Sequence, residues 1–122
     1  MGTTTVAYGM TANIYRHSEN YIPMDDGWRR LRDGRMPEQE TVHFEVPDTL
    51  LLGKTKETVA EALFVATNAP EESIRAFGSL AVWFAEALRG MAAVTALSVG
   101  DTVTVWGQAS VACQKQGWKE IA

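Results

Sequence analysis

Between Glu71 and Met91 the chain carries two adjoining apolar rows at helical spacing. Ile74, Phe77, Ala81, Phe84, Leu88 and Met91 recur every three or four residues, with Leu80, Trp83 and Ala87 beside them. A helix apolar over most of its circumference must be central to its own domain or covered by a partner. Pro70 at the first helical position, followed by Glu71 and Glu72, suits the helix macrodipole. Gly78 and Gly90 weaken the helix, and Gly90 is placed to end it. The wider stretch Ala76–Val99 does not read as a membrane span, because Glu86, Arg89 and its glycines make spanning costly.

The rest of the pattern supplies a sheet. Thr41–Val46 alternates, with Val42, Phe44 and Val46 on one side and Thr41, His43 and Glu45 on the other. That is a half-buried antiparallel strand closed by Pro47. Asp48 and Thr49 open a loop. Thr55 is an N-cap for a helix over Lys56–Asn68 whose apolar face carries Val59, Leu63 and Ala66. In the C-terminal third, Gly100 and Asp101 turn into a strand over Thr102–Trp106. Gly107-Gln108 is a hairpin turn, Ala109–Cys113 returns, and Trp118–Ile121 is a last short strand. Upstream, Thr11–His17 reads as a strand and Trp28–Asp33 as one helical turn. Residues 1–10, small and polar, read as a flexible terminus.

The order is therefore β-β-α-α-β-β-β. It implies an α+β fold: one antiparallel sheet packed by two helices, as a single domain over residues 11–122.

The chain has 122 residues, enough for one domain, and 46% are hydrophobic. Eleven Lys and Arg against fifteen Asp and Glu give a net charge of −4, which argues against a generally basic nucleic-acid or membrane binder. One cysteine cannot form an intramolecular disulfide, so a stapled secreted scaffold is excluded and a reduced cytoplasmic setting is the default. The first ten residues lack the basic and apolar regions of an export signal.

No catalytic constellation is visible. His17, His43 and Cys113 are not at the spacings of a zinc site, and no phosphate loop, dinucleotide fingerprint or nucleophile elbow occurs. Cys113 lies in an apolar strand and reads as a small hydrophobe. No cofactor, metal or catalytic residue is assigned. Arg29, Arg30, Arg32 and Arg35 beside Trp28 form the most distinctive polar feature. Asp25, Asp26, Asp33, Glu38 and Glu40 flank them and neutralise the segment.

Leu97-Ser98-Val99-Gly100-Asp101-Thr102-Val103, then Ala112-Cys113 and Gly117-Trp118, resembles the ending "SLSVGDVV…YACxxxGW" of a family of small actinobacterial phage and plasmid proteins. Phe44–Asp48 and Ala62–Asn68 resemble that family's "VEVP" strand and "AF…N" helix, so the likeness spans residues 11–121. Ala96 and Ser110-Val111 depart from it. The family has no established activity. The resemblance implies a mobile-element accessory protein in a host cytoplasm, with Gly100, Asp101, Cys113, Gly117 and Trp118 in structural roles.

These readings converge on a non-enzymatic protein that binds itself or a host protein. Leu80, Trp83, Phe84 and Ala87 form the association surface. Trp28, Arg29, Arg30, Arg32 and Arg35 form a polar one. The alternative is a nucleic-acid-binding regulator that uses the arginine segment and the C-terminal hairpin.

Overall fold

The computed structural model describes residues 2–11, 19–24, 29–35, 37–91 and 94–121. Its sheet includes the strand β1 (Thr3–Thr11), in the segment read from sequence as a flexible terminus. Val6, Tyr8 and Met10 alternate along it and are buried in the core. The intervening Thr, Ala and Gly residues face away, as the two-residue period of a strand requires.

Of the Thr11–His17 strand only Thr11 lies within the described residues, where it ends β1. A small hairpin follows, β2 (Tyr21–Pro23) against β3 (Arg29–Leu31). The helical turn expected over Trp28–Asp33 is instead this strand plus a turn at Gly34, where φ is +88°. Pairing with Tyr21–Pro23 overrides the local helical spacing.

β4 (Gln39–Pro47) confirms the alternating strand and extends it at both ends. The loop expected at Asp48 is a single helical turn, α1 (Asp48–Leu51). α2 (Lys56–Asn68) has the expected bounds, and the Thr55 hydroxyl accepts the Thr58 amide proton at 3.2 Å. The long apolar helix is broken in two, α3 (Glu71–Phe77) and α4 (Ser79–Arg89). Gly78 separates them with φ +134°, a conformation other residues rarely adopt. Pro70 stands just before α3 rather than within it. β5 (Thr102–Val105), β6 (Ser110–Cys113) and β7 (Trp118–Ile121) complete the chain, with Trp106 in the turn rather than in the strand.

The result is α+β: one five-stranded antiparallel sheet in the order β4-β1-β5-β6-β7, with helices packed against it. The register fixes how β1 shares its backbone. The Asp48 amide donates to the Gly2 carbonyl, and the Trp106 amide to the Thr5 carbonyl. Antiparallel pairs alternate between bonded and non-bonded. Even-numbered residues of β1 therefore bond β4, and odd-numbered residues bond β5.

The core lies between the inner sheet face and the helices. Phe44, Phe84, Leu63, Leu80, Leu97, Val103 and Val111 join Val6 and Tyr8 there. Burying each such side chain contributes about 1.5–3 kcal/mol. No helix among the described residues is long and apolar enough to cross a membrane.

Candidate interaction surface

The four residues read as an association surface divide in two. Leu80 and Phe84 are 2% and 0% exposed and belong to the core, so they are not surface. β1 explains the difference: paired between β4 and β5, it adds Val6, Tyr8 and Met10 to the buried core, and this is apolar area that a frayed terminus would not supply. Phe84 stands edge-on to Phe44 at 5.2 Å between ring centroids. Trp83 and Ala87 are half-buried and pack on the rim of the core.

Trp83 is held on two sides by edge-to-face contacts, 6.3 Å from Phe44 and 5.6 Å from Phe84. Such pairs restrict the indole beyond simple burial. Its remaining face borders an open groove of about 550 Å³, lined by Leu50, Arg75, Gly78, Ser79, Val82 and Glu86 as well as Trp83. The groove exists because Gly78 interrupts the helix and α1 brings Leu50 opposite the break. Its charged groups sit at the rim. Arg75 is already paired with Glu71 at 2.7 Å, one helical turn away.

Three of the arginines are held by contacts within or beside the β2–β3 hairpin. Arg29 donates through Nε to the Val99 carbonyl at 3.3 Å and lies over the Tyr21 ring at 5.7 Å. Arg32 donates to the Glu19 carbonyl at 2.8 Å. Arg35 pairs with Asp33 at 2.7 Å, and its backbone amide and guanidinium hold the Asp33 carboxyl below its usual range. These contacts fasten the β2–β3 hairpin and its turn. Arg30 is exposed on β3, and Trp28 lies outside the described residues.

Gly100, Asp101, Cys113, Gly117 and Trp118 each take up a turn or a contact within the fold. Gly100 has φ +95° and turns the chain into β5. Asp101 is fully buried, and its carboxylate accepts the amide protons of Thr11 at 3.1 Å and Ser98 at 3.0 Å. The Tyr8 hydroxyl donates to the Thr95 carbonyl at 2.8 Å and lies 3.3 Å from the same carboxylate. In the sequence, Gly100-Asp101 marks only a turn. The clasp joins residues too far apart in the chain for any local pattern to reveal it.

Cys113 is buried, and its thiol is pushed up to about 11, first by burial and then by the charges of Asp101 and Glu61. A thiol held protonated is a poor nucleophile. Gly117 turns the chain with φ +77°, and Trp118 donates from Nε1 to Glu61 at 2.8 Å while standing edge-on to Phe64 at 6.5 Å. His43 is exposed on the polar face of β4, and His17 lies outside the described residues. Among the described residues no three of His, Cys, Asp and Glu converge to hold a metal ion. No protein-family model, curated protein or solved structure matches the chain.

Proposed function

We propose that this chain is a non-enzymatic accessory protein that acts by protein–protein contact, first of all with copies of itself. The observation that carries the reading is Trp83, an aromatic anchor immobilised by Phe44 and Phe84 yet open to a groove. Rigid, half-exposed aromatics supply contact area at little entropic cost and dominate many interfaces. Leu50 and Val82 join Trp83 as the apolar part of the groove lining, beside Arg75, Ser79 and Glu86. That arrangement suits an apolar protein surface better than a small polar substrate.

The C-terminal motif supports an origin in an actinobacterial phage or plasmid and a place of action in the host cytoplasm. A host protein is the second partner class for the same surface.

Light scattering coupled to size exclusion, at two salt concentrations, tests self-assembly. A discrete oligomer that persists in high salt supports apolar association, because salt screens charge contacts but not apolar ones. Trp83→Arg then yields monomer with an unchanged circular dichroism spectrum. Should that variant unfold, Val82→Arg on the groove wall replaces it. A monomer at every concentration overturns self-assembly and leaves the host protein as the partner to seek.

A further inference from the structure

β4 is a nine-residue strand at the end of the sheet, with β1 on one side and, among the described residues, no strand on the other. Its even-numbered residues bond β1, as set by the Gly2–Asp48 pair. The backbone amides and carbonyls of Thr41, His43 and Glu45 therefore point away from the sheet. Their side chains are exposed, and among the described residues no backbone hydrogen bond reaches these outward groups. Folded proteins commonly guard such an edge with charged side chains, lysine above all, an internal proline or a bulge. β4 has no lysine, proline or bulge before Pro47; the charges it exposes are Glu40 and Glu45, and its pairing with β1 is unbroken over nine residues. The opposite edge, β7, is short, and Lys56 reaches Glu120 there at 3.5 Å.

We propose that β4 is the seam of a homodimer, in which it pairs antiparallel with β4 of a second copy about a two-fold axis at His43. The proposal rests on the self-association read above and names its geometry. In this register each of Thr41, His43 and Glu45 gives and accepts one backbone hydrogen bond across the seam. On the outer face Thr41 stands opposite the second copy's Glu45, so the two acidic side chains do not oppose each other. That cross-strand pairing already exists within one chain, where the Thr5 hydroxyl donates to Glu45 across the β1–β4 pair at 2.7 Å. On the inner face half-buried Val42 stands opposite Phe44, and Phe44 carries Trp83. The strand thus pairs with itself without setting glutamates opposite each other on one face, and with apolar side chains opposite each other on the other. The product is one continuous ten-stranded sheet, with the Trp83 rims of both copies flanking the seam.

The test uses the full chain and two readouts. In the register proposed, the two His43 Cα atoms sit about 5.5 Å apart, within the span a disulfide bridges. His43→Cys therefore forms a covalent dimer under mild oxidant, whereas Thr41→Cys, two positions off the axis, does not. In sedimentation equilibrium, His43→Pro removes only outward-facing amides and weakens the dimer about thirtyfold, for two lost hydrogen bonds. Should His43→Pro fail to fold, Thr41→Glu decides. It sets like charges opposite each other and weakens the dimer about tenfold, while Thr41→Lys does not. A wild-type monomer at all concentrations overturns both this proposal and the self-assembly beneath it. An oligomer that neither cross-links at His43→Cys nor responds to these β4 variants overturns the seam alone.

Discussion

The Asp101 carboxylate accepts the Thr11 amide proton at 3.1 Å, across ninety positions of chain. One side chain thereby pins the end of β1 to the start of β5 while also capturing the Ser98 amide. Asp101→Asn keeps the shape but turns an amide NH₂ toward one of these buried donors. The expected cost is about 2–3 kcal/mol, or roughly a 10 °C fall in thermal midpoint. A midpoint within two or so degrees of wild type, by calorimetry, would show that the clasp contributes little.

Cys113 makes stability depend on alkaline pH. Its folded thiol titrates at about 11, above the ordinary value of 9.0. The folded state therefore keeps a proton that the unfolded chain releases. Stability from this group is complete below about pH 9 and falls as pH rises toward 11, by about 3 kcal/mol at most. Denaturant titrations of wild type and Cys113→Ala across that window isolate the thiol from tyrosines and lysines common to both. The gap between them should narrow as pH rises, and a constant gap would contradict the assignment.

Gly78 holds φ +134° between α3 and α4, with open space where a Cβ would stand. Space is therefore not the constraint; backbone conformation is. Gly78→Ala is expected to lower stability by about 1–2 kcal/mol, although alanine favours helices in general. Urea unfolding measures it, and an increase in stability would mean that α3 and α4 can fuse into one helix without loss.

Trp118→Phe retains an aromatic ring against Phe64 but deletes the donor to Glu61. The loss should be about 1 kcal/mol, and Trp118→Ala should cost about 3 kcal/mol or more. Equal effects from the two variants would place all the value in the hydrogen bond and none in the ring.

The elements legible in the sequence were those with an uninterrupted signal of their own. Phe44 and Val46 alternate with charged residues, Thr55 caps α2, and glycines at positions 107 and 117 mark the turns that separate β5, β6 and β7. β1 escaped because its outer face is threonine, alanine and glycine, which resembles a loose terminus. Val6, Tyr8 and Met10 held the period-two signal that identifies it. Gly78 looked like a weak point within one helix, since nothing local distinguishes a tolerated glycine from one with positive φ. Leu80 and Phe84 looked like surplus surface only while β1 was missing from the count of what covers them. Trp83 stands out in the sequence as part of the second apolar row, but its restraint by Phe44 is tertiary and has no trace in spacing.

Tyr8 faces Val42 on one side and Val103 on the other. A ribosome releases β1 and β4 well before β5, so the two can pair while the far side of β1 is still bare. The nascent chain then carries a second unsatisfied edge, one absent from the finished protein, until Val103 to Val105 emerge and zip it shut. Translation speed through the helical middle of the chain thus sets how long that transient edge is offered to neighbouring nascent chains, and with it the yield of correctly closed sheets.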